Sequence, residues 1–334
     1  MGQPEPNPQR SFVRTRDGWK LAVYRHVPTR PREGQAPVLL VHGLSANRYD
    51  LDAPIPEISL ARYLCERGHD VWVVELRGSG RSRYPGWPLA RRPGFDFDDY
   101  VHRDVPALLR HVLDQTGAAG LHWVGHSMGG MLAYAALEHY EQRLFRSVVT
   151  VGSPAFTAIK HPLVDVAYQL RFLLKMLDWL PSRRLAQAGS LLPWAILRRI
   201  MGVVGNPDNM DPDHVGPLLR GAIHDLPAPL LAQFAEWYGR QQGFGRQDGL
   251  LDYTEHLGRI TVPLLVIAGA GDELTPLRDL HGVFNAISSP DKWLLVASRA
   301  NGFRHDYGHI DLILGMHARI EIYPHVAEWI EKHR

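Results

Sequence analysis

Residues 121–137 read Leu121-His122-Trp123-Val124-Gly125-His126-Ser127-Met128-Gly129-Gly130-Met131-Leu132-Ala133-Tyr134-Ala135-Ala136-Leu137. An apolar run enters a tight turn flanked by glycines, and a stretch of helix formers leaves it. G-x-S-x-G at a strand-to-helix junction presents one serine on a cramped turn, which exposes its hydroxyl as a nucleophile. The flanks are glycine because so sharp a turn leaves little room for side chains. The pattern also occurs by chance, so its weight depends on what the rest of the chain supplies.

A nucleophilic serine needs a base, and the base needs an orienting acid. Pro263-Leu264-Leu265-Val266-Ile267-Ala268-Gly269 has a buried-strand pattern and ends in Ala270-Gly271-Asp272-Glu273-Leu274-Thr275-Pro276, a loop that opens a helix. Asp272 therefore stands at the carboxyl end of a strand, where active sites of open α/β sheets lie. Helix capping is the competing use of this aspartate. A second strand, Trp293–Ala297, leads through a polar loop to Tyr307-Gly308-His309-Ile310-Asp311. His309 is the expected base. His305 is its rival, and Asp306 and Asp311 flank it as candidates for supporting or capping roles.

Acyl transfer places negative charge on the former carbonyl oxygen, and preorganised backbone N–H groups stabilise it. One donor is expected from the residue after the nucleophile, Met128. The apolar strand Pro37–Val41 runs into His42-Gly43-Leu44-Ser45-Ala46-Asn47, and the Leu44 N–H is the expected second donor.

These segments together resemble the α/β-hydrolase superfamily, in its Ser-His-Asp esterase and lipase branch. They are His42-Gly43-Leu44, Glu75-Leu76-Arg77-Gly78-Ser79-Gly80-Arg81-Ser82, Gly125–Gly129, Gly271–Pro276 and Gly308-His309, in family order. Gly68-His69-Asp70-Val71-Trp72-Val73 and Tyr307–Gly315 are similar to segments of acid lipases and of polyhydroxyalkanoate synthases. The synthases use a cysteine nucleophile; Ser127 stands at that position here, which argues for hydrolysis. The resemblance implies an α/β-hydrolase fold: a mostly parallel central sheet with helices on both faces and a helical cap insertion.

Composition narrows the function classes. The chain has 334 residues, long enough for one large domain with an insertion. A formal net charge of +2 offers no nucleic-acid signal. Arg183-Arg184 and Arg198-Arg199 lie in Leu- and Trp-rich segments; a solvated helix face or a peripheral lipid contact through the cap accounts for them. The single cysteine, Cys65, sits in the probable helix Leu60–Arg67, reads as a core residue and excludes an intramolecular disulfide. Residues 1–8 lack the features of a signal peptide, and no run of 18 apolar residues occurs. A cytoplasmic protein without a transmembrane segment is expected. No cofactor and no metal are expected.

Organisation follows from alternation. Residues 11–27 read as a hairpin around Arg16-Asp17-Gly18. Strands at 37–41, 71–75, 121–125 and 147–151 then alternate with helices, implying a parallel, doubly wound sheet. The alternation stops after 154 and resumes at 263. The expected division is a disordered lead over 1–10, a core over 11–154, a helical cap over 155–255 and a second core part over 256–334. A long amphipathic helix is expected over 164–180, with helical pieces at 191–201, 212–223 and 228–240.

The expected function is hydrolysis of small carboxylic esters with an apolar acyl or alcohol group. Ser127 attacks, His309 takes its proton, Asp272 orients the imidazole, and Leu44 and Met128 hold the oxyanion. Acyl transfer, or thioester, lactone or carbon–carbon hydrolysis, on the same triad is the alternative. A non-catalytic ligand-binding protein is the remote one. Oligomeric state is not legible in the sequence.

Overall fold

The computed structural model describes residues 7–85, 94–155, 166, 168–174, 176–240, 244 and 252–334. Eight strands form one sheet: β1 (Gln9–Arg14), β2 (Lys20–His26), β3 (Val38–Val41), β4 (Val71–Glu75), β5 (Leu121–His126), β6 (Phe145–Val151), β9 (Leu264–Gly269) and β10 (Lys292–Ala297). Their spatial order is β1-β2-β4-β3-β5-β6-β9-β10. Pairing is antiparallel from β1 to β2 and from β2 to β4, and parallel from β4 through β10. The expected hairpin and doubly wound sheet are both present. The expected lead is shorter than 1–10, because Gln9 and Arg10 already pair with Arg25 and Tyr24; residues 1–6 lie outside the described residues.

Alternation along each strand sends side chains to two cores. Leu39, Val41, Trp123 and Val266 pack on one face with helices Val105–Thr116, Met128–His139 and Leu277–Ala286. Leu40, Val71, Val124 and Ile267 pack on the other with Leu60–Glu66 and Tyr323–Lys332. Each such side chain, fully buried, stabilises the fold by about 1.5–3 kcal/mol. Cys65 is one of them, as expected.

The loop after β4 is anchored electrostatically. Arg77 is buried and bonds to Asp104 at 2.7 and 2.8 Å and to Asp17 at 2.9 Å. Burial opposes its charge, but Asp104 and Asp17 outweigh that and hold the guanidinium above its ordinary value.

The segment between β6 and β9 carries helices Ser182–Gly189, Trp194–Met201, Pro212–Gly221 and Ala228–Arg240. The last three match the expected pieces to within a few residues, with Pro193 setting the start of Trp194–Met201; Ser182–Gly189 is not among those expected. The long helix expected over 164–180 is not formed as such. Part of it lies outside the described residues; Arg171–Leu174 is helical. Trp179–Leu180 (β7) instead pairs antiparallel with Leu226–Pro227 (β8). Backbone pairing with β8 overrides the local helical periodicity.

Candidate active site

Four loops converge at the carboxyl edge of the parallel strands. β3 ends at Val41 and releases His42-Gly43-Leu44; β5 ends at His126 and releases Ser127; β9 ends at Gly269, before Asp272; β10 ends at Ala297, before the loop to His309.

The turn after β5 is as tight as its glycines suggest. A Cβ on Gly125 would lie 2.3 Å from the Gly129 carbonyl, and one on Gly129 would lie 2.1 Å from Val41 O. Ser127 has φ +53° and ψ −119°, a conformation that costs a non-glycine residue on the order of 1–3 kcal/mol. Its N–H donates to Val151 O at 2.8 Å and its carbonyl accepts from Gly130 N at 3.0 Å. Trp123 Nε1 donates to Gly129 O at 3.0 Å, bracing the turn from the core. Strain stored so locally points to a use for the Ser127 hydroxyl.

His309 and Asp272 are brought together. His309 Nδ1 lies 2.8 Å from Asp272 Oδ2, and both side chains are almost fully buried. Asp272 also accepts from Leu274 N at 2.9 Å, Thr275 N at 2.8 Å and the Thr275 hydroxyl. Burial alone would raise its pKa, but His309 and Thr275 outweigh that and hold the carboxyl below the usual range. Asp272 does not cap the helix Leu277–Ala286, which opens after Pro276.

The rivals are placed elsewhere. His305 stacks on His317, with ring centroids 5.2 Å apart, and Asp306 accepts from Arg299 N. Asp311 accepts from Gly308 N, Asn206 N and Asn209 Nδ2, so it ties the loop of His309 to the insertion.

Ser127, His309 and Leu44 line one cavity of about 580 Å³. The insertion contributes an apolar wall that includes Val203, Ile223, Leu231 and Phe234, and Tyr238 lines it as well. Among the described residues no hydrogen bond joins the Ser127 hydroxyl to His309. Among the same residues, no acceptor takes the Leu44 or Met128 N–H. Met128 opens a helix, where an N–H lacks an intrahelical partner. The Leu44 loop is held by the insertion. Ser45, at φ +57°, exchanges hydrogen bonds with the His224 backbone, and Asn47 Nδ2 donates to Gly221 O.

Two residues that spacing did not single out sit in the cavity wall. Asp50 Oδ2 accepts from Gly43 N at 2.8 Å, and both its oxygens lie within 3.0 Å of His126 Nδ1. Only the aspartate's position seven residues after Gly43 marks it, and no motif rule reads that spacing.

With a strained serine between β5 and its helix, and a carboxylate–imidazole pair beyond β9 and β10, the class is defined. The chain belongs to the α/β-hydrolase fold family; the family's model matches residues 36–310. Rat gastric triacylglycerol lipase is 32% identical over 177 residues, which span 49% of this chain and 44% of the lipase. The chain thus aligns with less than half of that relative's length. Human lipase member K is 24% identical over 96% of this chain and 87% of its own. Among solved structures, an esterase from Thermogutta terrifontis superposes with a TM-score of 0.64 at 22% identity, covering 98% of this chain and all of its own. Among the described residues no helix is long and apolar enough to cross a membrane.

Proposed function

We propose that this protein is a serine hydrolase that cleaves carboxylic esters carrying an apolar acyl or alcohol group. The observation that carries the reading is the strained Ser127, which lines the same cavity as His309, itself paired with Asp272. Ser127 attacks the ester carbonyl while His309 Nε2 takes its proton. The oxyanion forms against the Leu44 and Met128 N–H groups. Collapse expels the alcohol, which receives the proton from His309 and leaves an acyl-serine. A water then attacks the acyl carbon, its proton passing to His309; the acid departs and the proton returns to Ser127. Asp272 holds the imidazole in the required tautomer throughout.

The insertion, read as a cap over residues 155–255, supplies the apolar wall that takes the ester's hydrocarbon part. A mostly apolar pocket with few polar groups suits such a ligand. Labelling with a fluorophosphonate and peptide mapping, followed by a chain-length series of p-nitrophenyl esters, tests the reading. Modification of Ser127 and turnover lost in Ser127→Ala support it; full turnover in that variant sinks it. Transfer to an added alcohol in preference to water would favour the acyltransferase alternative.

Peripheral lipid contact through the cap has its own support. Phe172, Leu173, Met176, Leu185 and Leu191 are each more than half exposed; Arg183 and Arg184 lie among them in the chain, and Arg171, Arg198 and Arg199 flank them. Apolar side chains beside cations suit a bilayer surface. Flotation with vesicles, repeated for Leu191→Ser, decides it. A cytoplasmic location, which a buried free thiol at Cys65 suits, is checked by fractionation.

A further inference from the structure

The wall of the cavity contains a second carboxylate–imidazole pair, Asp50 with His126, which the reaction as written does not use. Asp50 Oδ2 lies 2.8 Å from Gly43 N and 2.9 Å from His126 Nδ1. His126 Nε2 lies 3.2 Å from the backbone carbonyl of His309. The His126 and His309 rings face each other with centroids 4.9 Å apart. Both Asp50 and His126 are buried.

With Asp50 ionised, hydrogen-bond chemistry places the protons. A carbonyl oxygen only accepts, so His126 Nε2 carries a hydrogen. An ionised carboxylate only accepts, so Nδ1 carries one too. The ring is then an imidazolium beside a carboxylate. Burial works against both charges, but the partners outweigh it, lowering Asp50 and raising His126.

The pair touches three separate pieces of the site. Asp50 holds the N–H of Gly43, directly before the expected oxyanion donor Leu44. His126 is bonded to Ser127 in the chain. Its far nitrogen holds the backbone of the expected base. The fit is close, since a Cβ on Gly43 would stand 3.2 Å from Ser127 Cβ and 3.5 Å from Asp50 Oδ2.

We propose that Asp50 and His126 are positioning residues that lock the oxyanion loop and the loop of the base in register around Ser127. The proposal rests on the catalytic reading above. Its value to the reaction is preorganisation: donors must already stand where charge develops. Gly43 cannot itself serve as an oxyanion donor while its N–H is given to Asp50. The bond instead sets the peptide plane before Leu44.

Substitutions at Asp50 separate geometry from charge. Asp50→Asn leaves three hydrogen bonds open to a neutral site. The amide oxygen accepts from Gly43 N–H, the amide nitrogen donates to His126 Nδ1, and Nε2–H still reaches His309 O. Asp50→Ala removes two of the three. Turnover is measured on a short p-nitrophenyl ester and divided by the number of sites titrated with a fluorophosphonate, so unfolded protein does not count.

Asp50→Ala should lower kcat per titrated site about ten- to a hundredfold, part of what a lost oxyanion donor costs, with KM changed less than about threefold. Asp50→Asn should stay within about threefold of the wild type. Unchanged kcat per site in Asp50→Ala overturns the proposal, and so does an Asp50→Asn loss as large as that of Asp50→Ala. Should Asp50→Ala not fold, His126→Gln carries the same test. Its single amide nitrogen cannot reach both Asp50 and His309 O, so kcat per site should again fall, and an unchanged value overturns the proposal. Nitrogen-15 shifts in the wild type give a check free of mutation: both ring nitrogens of His126 should be protonated at neutral pH, and a neutral ring overturns the assignment. The two levels fail differently. A wild type whose Ser127 is not labelled defeats the catalytic reading. Normal titration with an indifferent Asp50→Ala defeats only this inference.

Discussion

His309 Nδ1 and Asp272 Oδ2 lie 2.8 Å apart although 37 residues separate them in the chain. The two arrive from neighbouring parallel strands, β9 and β10, whose register pairs Gly269 with Ala297 just before each loop begins. If His309 is the base, His309→Ala should abolish ester turnover. Asp272→Asn should lower kcat about 10⁴-fold, because an amide favours the wrong imidazole tautomer. His305→Ala serves as the control and should retain most activity, since its ring stacks on His317 instead. Steady-state kinetics on one soluble ester checks all three, and a dead His305→Ala with an active His309→Ala would reverse the assignment.

Thr275 is a second point of leverage on the same carboxylate. Its N–H and its hydroxyl both donate to Asp272. Thr275→Val keeps the shape and removes the hydroxyl donor, which leaves Asp272 less firmly oriented. A fall in kcat of roughly ten- to a hundredfold is expected, the usual scale for partners that orient a functional group from behind, and Thr275→Ser should restore most of it. Equal activity in Thr275→Val and the wild type would remove Thr275 from the account.

The cavity should behave as an acyl ruler. Each buried methylene favours binding by about 0.8 kcal/mol, so each added acyl carbon should raise kcat/KM about fourfold until the pocket fills. A volume of about 580 Å³ implies a preference for short-to-medium chains over acetate and over long triglycerides. Ala235 lines the pocket from the insertion, and Ala235→Phe should move the optimum to shorter esters. A chain-length profile that does not move would place the acyl group elsewhere.

Acid should act on the opposite edge of the sheet. His122 and His69 are buried, and His122 Nδ1 bonds to Ser147 Oγ at 2.8 Å. Burial pushes His122 down from 6.5 to about 3, and His69 to about 4. Below pH 6.5 the unfolded chain therefore binds these protons before the folded one does. The stability that neutral rings contribute above 6.5 is lost as pH falls from 6.5 toward the folded values, about 2 kcal/mol for each ring by pH 5. His122→Gln has no such proton to take up. Urea unfolding at pH 7 and pH 5 should show its stability relative to the wild type improving by about 2 kcal/mol on acidification. A constant difference would mean that His122 titrates normally in the folded state.

Much of the fold was legible because its signals are local. A four-residue apolar strand such as Val38–Val41, a glycine-flanked turn at Gly125–Gly129 and a proline at a helix start are decided by adjacent residues. Ser127, Asp272 and His309 stood out because each follows a strand, and strand ends are readable. The long helix over 164–180 misled because Trp179 and Leu180 find their partners 48 and 46 residues onward, at Pro227 and Leu226, where no local period reaches.

By itself, then, the sequence determined the order of strands and helices outside the insertion, the strained serine turn and the family. Those features depend on steric limits and hydrophobic period within a few bonds of each residue. Only the tertiary structure decided that His309 and not His305 faces Asp272, that the insertion walls the cavity, and that Asp50 meets His126 across 76 positions. Such meetings depend on strand register and on which loops share the carboxyl edge of the sheet. Hydrogen bonds and charge pairs form between whatever those distances bring together, and nothing in the separate segments encodes them.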